Sequence, residues 1–410
     1  MSLQQVLVTG LGVMAPHGDD AGRFFDALLR GESAIRPILP DLPKPAAAAT
    51  VDFEAARWFS KLQLAGVDRV SQLAVAAADL ALRDAGLVGA PESAPDVAPE
   101  RIGVYAGCGM GGAGALEAAY RSGASGRVPP LTVPAFMPNA PASHVAMRLN
   151  AQGPVLTYSV ACASSSIAIA EAAKAVERGE VDVAIAGGSE ALIVEGVVLA
   201  WQAMQTLASF APGEAASAVR PFASDRTGFA LGEGAAFLVL ESAAHAERRG
   251  ARSHARLAGW GSTCDATHLT KPDAAGQARA LRAALRMADL QPADVGYCNA
   301  HGTATRIGDV VERQALAEVW GSQLDRLAVS STKALHGHLL GAAGALEAVV
   351  TVLALRRRQL PPNAHCSTPD PDCALNLVPA VGAEAPGLEA AISSSFAFGG
   401  SNATLLFTRG

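Results

Sequence analysis

The stretch that decides the fold is Val155-Leu156-Thr157-Tyr158-Ser159-Val160, followed by Ala161-Cys162-Ala163, Ser164 through Arg178, and Val181-Asp182-Val183-Ala184-Ile185-Ala186. Residues 155–160 are rich in apolar and β-branched side chains, the composition of a buried strand. From Ser164 the spacing changes to that of an Ala-rich helix, which ends at Arg178-Gly179. Residues 181–186 return to strand character. A strand, a helix and a strand within about thirty residues make a βαβ unit, hence an α/β layered fold with buried sheets. Cys162 stands at the junction of the first strand and the helix, among small residues, as a nucleophile would on an elbow. A helix N-terminus there lowers the thiol pKa and offers free N–H groups to an oxyanion. Taken alone, a cysteine of this kind is as often a small core residue.

The same alternation runs outward in both directions. Strands are predicted at Gln5–Thr9, leaving through a Gly10-Leu11-Gly12 turn, and at Arg101–Ala106 and Ala235–Leu240, with a helix over Val67–Gly86. A second half opens near Arg256, where Arg256–Gly259 with Gly261 echoes the first strand and its glycines. It continues with helix Ala278–Met287, strand Gly296–Ala300, helix Ala342–Arg358 and strands Ala391–Ser395 and Ala403–Thr408. Pro40–Ala49 and Gly89–Glu100 read as surface loops. Arg356, Arg357 and Arg358 read as a helix C-terminus complementing its dipole.

Composition narrows the function classes. Of the 410 residues 50% are hydrophobic and 17% charged, which excludes a disordered chain. The net charge of -6 argues against nucleic-acid binding. No run of about 18 uncharged apolar residues suggests a membrane span. The six cysteines form no C-x-x-C pair, so a reduced, cytoplasmic chain with no metal is expected. Gly107-Cys108-Gly109-Met110-Gly111-Gly112 fits the dinucleotide pattern G-x-G-x-x-G, but Pro129-Pro130-Leu131-Thr132 follows where an acidic residue is required. Close backbone packing beside the active site or a subunit interface is the better reading.

Two further motifs place histidines beside glycines at strand ends: Asn299-Ala300-His301-Gly302-Thr303-Ala304-Thr305, and Ser331-Thr332-Lys333 through His336-Gly337-His338 with Gly341 and Gly344 after it. Together with Cys162 and its flanking residues, Ala186-Gly187-Gly188-Ser189-Glu190, Arg220-Pro221-Phe222, Gly228 through Gly234, and Phe396-Ala397-Phe398-Gly399-Gly400-Ser401-Asn402, the chain resembles the β-ketoacyl-carrier-protein synthases, closest to the elongating synthase II type. The resemblance runs from Gln5 to Thr408.

It implies a thiolase-like five-layer α-β-α-β-α fold of two similar halves, 1–255 carrying the nucleophile and 256–410 carrying both histidines. It implies decarboxylative condensation of an acyl thioester on Cys162 with malonyl-acyl-carrier protein, in fatty-acid elongation or in a polyketide or polyene pathway. Cys162, His301 and His338 would be catalytic, and Lys333 would set the field around the histidines. Glu347 would hold the Lys333–His338 loop, although an ordinary solvated helix residue is the alternative. The amides of Cys162 and Phe398 would bind an oxyanion, with Phe398 and Gly399 forming the gate, while Thr303 and Thr305 would bind the pantetheine arm. No cofactor is implied. The partners would be acyl-carrier protein and a second copy of the chain. Ala304, Arg306, Ser394, Ala397, Thr227 and Gln205 depart from the usual pattern and bear on acyl length and carrier identity. A biosynthetic thiolase would need a second cysteine in Phe396–Asn402, which has none. A non-catalytic chain-length subunit would lack the nucleophile.

Overall fold

The computed structural model of the protein describes residues 4–87, 97–123 and 125–410. The first strand does not end at its glycines. β1 spans Val6–Met14 and runs straight through Gly10 and Gly12. Helix α1, Arg69–Asp84, lies so close against it that a Cβ on Gly10 would stand 2.1 Å from the Ala81 carbonyl oxygen, and one on Gly12 2.0 Å from that of Ala77. The glycines therefore make room for a helix rather than a turn. The pairing recurs in the second half. β6, Ala255–Cys264, carries Gly259 and Gly261, whose Cβ atoms would lie 2.3 and 2.0 Å from the Ala284 and Ala280 carbonyls of the helix at Ala274–Ala288.

The other strands of the first half are β2, Ile102–Gly107, β3, Val155–Tyr158, β4, Val183–Glu190, and β5, Gly234–Ser242. Those of the second are β7, Tyr297–Asn299, β8, Ala328–Ser330, β9, Ala390–Phe396, and β10, Ser401–Thr408. They follow the order β3-β2-β4-β5-β1-β6-β10-β9-β7-β8, closed beyond β8 by Asn376–Leu377. Read inward from each outer edge, both sets of five run third, second, fourth, fifth, first. The two sets meet where β1 and β6 pair antiparallel through Leu7 with Arg256 and Val8 with Ala255.

Helices fill three layers around the two five-stranded sheets. α1 and α2, Ala140–Leu149, cover the outer face of the first sheet, and α4, Ala274–Ala288, with α5, Arg306–Trp320, cover that of the second. Between the sheets lie α3, Ser164–Glu177, and α6, Ala343–Arg357. Residues 343 to 355 of α6 are all buried, as a helix covered on every side must be. Its small side chains allow the sheets to close on it, which explains the Ala-rich, aromatic-poor composition. The result is the five-layer α-β-α-β-α architecture.

Two loop readings change. Residues 46–49 of Pro40–Ala49 form a buried strand, which pairs antiparallel with Ile35–Ile38 and parallel with Leu231–Gly232. Its four alanines carry no side-chain alternation for a sequence pattern to show. Residues 89–96 of the other expected loop lie outside the described residues, and Pro99–Arg101 is a single 3-10 turn. The three arginines do end α6. Arg356 donates to His254 Nδ1 at 2.9 Å, Arg357 pairs with Asp26, and Arg358 with Glu389 at 2.6 Å. Among the described residues no helix is long and apolar enough to cross a membrane.

Candidate active site

Cys162 sits between β3 and α3. Ala161 before it adopts φ +50°, a left-handed conformation that a residue with a Cβ takes only when its surroundings impose it. The Ser164 hydroxyl imposes it here, accepting from Val160 N at 2.9 Å and donating to the Ala161 carbonyl at 2.6 Å. The thiol is thus held on a braced elbow, 7% exposed. Burial pushes its pKa up to about 12, against the pull of Lys333 in the opposite direction. The lowered pKa expected from the helix N-terminus is corrected accordingly: removing a thiolate from water outweighs it at this depth.

His338 meets the sulfur. Its Nε2 lies 3.0 Å from Cys162 Sγ. Its own backbone is fixed to the strand segment at Leu231, donating to Ala230 O at 2.8 Å and accepting from Gly232 N at 2.9 Å. Gly337, at φ +71°, permits that approach, since a Cβ there would strike Leu231 O at 2.6 Å. The Leu340 amide donates to His338 Nδ1 at 3.3 Å. A nitrogen that accepts an N–H bond carries no hydrogen, so the neutral ring bears its hydrogen on Nε2, facing the sulfur. The Phe229 ring stands edge-on to this imidazole, centroids 5.2 Å apart.

His301 follows β7, with its ring 5.5 Å from that of His338 and nearly perpendicular to it. The amides of His301 and Gly302 both donate to the Glu312 carboxylate of α5 at 2.7 Å. Burial, then the charge of Lys333, holds both imidazoles well below 6.5, so both are neutral. Lys333 and Glu347 are fully buried and form an ion pair between the loop and α6, so Glu347 is not a solvated helix residue. One donor atom each from Cys162, His301 and His338 lies within 4.8 Å of the other two. Such a set also suits a soft metal ion, but the direct Sγ to Nε2 contact is that of a hydrogen bond.

A cavity of about 450 Å³ reaches these three residues. Thr303 and Thr305 line it, their hydroxyls 3.0 Å apart, and Thr305 also caps α5 by accepting from Gly308 N at 3.2 Å. Phe398 lies across the cavity, its ring stacked on Trp201 at 6.1 Å. Gly399 and Gly400 follow it at φ +85° and +75°. Of the unusual positions, Ala304 is buried at φ +60°, where glycine would be unstrained, while Gln205 and Thr227 line the cavity.

Sequence reasoning missed several supports. Glu312 braces the His301 loop. Arg226 donates to Thr305 O at 3.0 Å and Arg306 O at 2.7 Å, and pairs with Asp370 at 2.6 Å, holding the threonine loop. Glu190 lies inside a quoted motif, but no role was given to it. Glu190 alone carries a sequence signal, a charge that ends a small, glycine-rich run; Glu312 and Arg226 stand among other polar residues. The G-x-G-x-x-G stretch packs on the active-site helix: a Cβ on Gly107 would stand 2.2 Å from Ser165 N.

Two family descriptions account for most of the chain: "Beta-ketoacyl synthase, N-terminal domain" matches residues 3–246, and "Beta-ketoacyl synthase, C-terminal domain" residues 254–367. The chain belongs to the β-ketoacyl synthase family. It is 40% identical to Nodulation protein E of Rhizobium sp. (strain N33), over 98% of this chain and 99% of that protein. It is 37% identical to 3-oxoacyl-[acyl-carrier-protein] synthase 2 of Staphylococcus aureus (strain N315), over 99% and 98%. A β-ketoacyl synthase from Burkholderia phymatum STM815 superposes with a TM-score of 0.91 at 36% identity, covering 99% of this chain and 100% of that one. The ishigamide ketosynthase/chain length factor gives 0.92 at 31% identity, covering 100% of both chains. The protein is therefore a ketoacyl synthase, a condensing acyltransferase with the thiolase-like fold.

Proposed function

We propose that this synthase extends acyl chains on acyl-carrier protein during fatty-acid elongation, with the nucleophile in residues 1–255 and both histidines in 256–410. The observation that carries the chemistry is the orientation of His338: Nε2 is 3.0 Å from Cys162 Sγ, while Nδ1 is filled by the Leu340 amide. A ring fixed in this way is a hydrogen-bond donor to the reacting atoms, not a base.

In the first half-reaction Cys162 Sγ attacks the carrier thioester. A new S–acyl bond forms, the carrier sulfur leaves, and the thiol proton passes to it. The amides of Cys162 and Phe398 hold the transient oxyanion. Malonyl-carrier protein then enters past Thr303 and Thr305, which hydrogen-bond its pantetheine arm. The bond to its carboxylate breaks, carbon dioxide leaves, and the electron pair forms an enolate. Neutral His301 and His338 donate to the enolate oxygen. An imidazolium would instead pair with the malonyl carboxylate and stabilise the ground state, so the lowered histidine pKa values suit this step. The enolate carbon attacks the acyl–Cys162 carbonyl, and collapse releases the sulfur and 3-oxoacyl-carrier protein. Burial keeps the imidazoles neutral, and the positive field of Lys333, paired with Glu347, adds to it.

The test is intact-protein mass. Wild type mixed with acyl-carrier protein is expected to gain one acyl group, and malonyl-carrier protein to discharge it as a 3-oxoacyl product. Cys162→Ala should gain nothing. Absence of acylation of the folded wild type by any donor overturns the proposal. A second reading, a secondary-metabolite ketosynthase, draws support from the similarity to the ishigamide protein and from Ala397 beside the gate. Equal use of short and long saturated acyl donors would favour elongation, and rejection of saturated chains the second pathway.

A further inference from the structure

Glu190 ends β4 with its side chain fully buried, yet no step above uses it. Three backbone amides from two segments converge on its carboxylate. Oε2 accepts from Gly109 N at 2.7 Å and from Gly341 N at 2.9 Å, and Oε1 from Met110 N at 3.3 Å. The approach is close enough to exclude other residues. A Cβ on Gly109 or Gly341 would stand 2.5 or 2.6 Å from Oε2, and one on Gly341 2.4 Å from Gly109 N. Gly109 and Gly341 thus leave room for one carboxylate that a side chain at either position would displace.

Gly341 is the residue after Leu340, whose amide reaches His338 Nδ1. Leu340 holds φ +46°, a conformation that costs a residue with a side chain about 1 kcal/mol or more and persists only under restraint. The restraint is the next amide, tied to Glu190.

We propose that Glu190 is a positioning residue for His338: by holding the Gly341 amide it keeps the Leu340 N–H on Nδ1 and so the imidazole hydrogen on Nε2, facing Cys162. Without this tie the strained turn relaxes, Nδ1 loses its donor, and the ring is free to carry its hydrogen on the wrong nitrogen. The enolate then loses one donor, whereas acyl transfer to Cys162 relies on other amides. The inference rests on the proposed role of His338 as a donor to the enolate.

The experiment separates the two half-reactions in wild type, Glu190→Ala, Glu190→Gln and His338→Ala. Acylation of Cys162 is followed by mass, and decarboxylation of malonyl-carrier protein to acetyl-carrier protein by carbon dioxide release. Glu190→Ala is expected to slow decarboxylation by about 100-fold or more, the scale of one lost oxyanion donor, while acylation stays within about threefold. Glu190→Gln is expected to restore decarboxylation to within about threefold of wild type, because its carbonyl oxygen still accepts both glycine amides. A merely structural residue would slow both steps together. Equal losses in both steps, a decarboxylation rate left intact in Glu190→Ala, or no rescue by Gln overturns the proposal. Should Glu190→Ala fail to fold, the nitrogen-15 shifts of His338 decide: hydrogen on Nε2 in wild type and in Glu190→Gln is required, and hydrogen on Nδ1 in wild type overturns it. If His338→Ala decarboxylates normally, the role of His338 fails. If His338→Ala is impaired and Glu190→Ala is not, only the present inference fails.

Discussion

The Leu340 amide places the hydrogen of His338 on Nε2, and burial together with the Lys333 charge keeps the ring neutral, which defines how it should respond to pH. Both active-site imidazoles are held well below 6.5, first by burial and then by Lys333. Neither ring should take a proton between pH 8 and 6. The histidines are therefore expected to contribute no titration to the decarboxylation rate over that range, whereas an ordinary histidine of pKa about 6.5 would cut it severalfold. A change in the nitrogen-15 shifts of either ring through pH 6.5 would show that the rings are not screened as described. Lys333 carries a second expectation. Lys333→Ala leaves Glu347 buried without its partner, and the lost pair should lower the unfolding free energy by about 3 kcal/mol, read from denaturant titration. Replacing both residues by Met and Leu should destabilise less than the single change, because no unpaired charge is then left inside.

At the scale of elements, β1 and β6 show what a hydrophobic pattern can and cannot report. Gly12→Ala would place a Cβ 2.0 Å from the Ala77 carbonyl oxygen, and Gly261→Ala one 2.0 Å from that of Ala280. Each should destabilise by about 3 kcal/mol or more, since a helix must lift off its sheet, while Gly387→Ala, with open space around it, should stay within about 0.5 kcal/mol. Thermal unfolding of the three variants tests the contrast. Gly10 and Gly12 read as a turn in the sequence because a pattern records what a residue permits, not what packs on it. Residues 46–49 were hidden for a related reason: four alanines buried on both faces have no alternation to detect. The nucleophile and the two histidines were legible because small residues and glycines flank them in recognisable order. Glu190 and Glu312 were not, because their partners are backbone amides, which any residue supplies. Glu190 also has a measurable signature. Burial raises its carboxyl to about 7, with the Cys108 thiol as its titratable neighbour and the three amides pulling the other way. A raised folded-state pKa gives stability that is full below the unfolded value, near 4.5, and is lost as pH rises towards 7. Wild type should therefore lose roughly 1.4 kcal/mol per pH unit relative to Glu190→Gln between about pH 4.5 and 7, with no further change above. A constant difference over that window would show that the carboxyl is not raised.

At the scale of the whole molecule, the two ends of the sheet are treated differently. The edge at β8 is closed by the two-residue strand Asn376–Leu377. The edge at β3 is open, and it exposes Val155 at 38% and Leu156 at 45%. α2, which packs against β3, exposes Met147 at 67%. An open strand with apolar side chains is a template for pairing, and proteins that remain monomeric blunt such edges with charge, proline or a covering element. None of these covers Val155–Tyr158 among the described residues. Two copies pairing β3 to β3 about a twofold axis would continue the sheet from one subunit into the next and satisfy both edges at once. The elbow of Cys162 begins two residues after β3 and its brace at Val160, so the dimer interface would stiffen the nucleophile's support directly. Light scattering is expected to give twice the chain mass of 41.7 kDa for wild type at micromolar concentration. Leu156→Asp, which places a charge in the centre of the paired edge, should give the single-chain mass and reduce acylation of Cys162 even where the monomer stays folded. A wild type that runs as a monomer, or a Leu156→Asp variant that still dimerises, would mean that the open edge serves another contact.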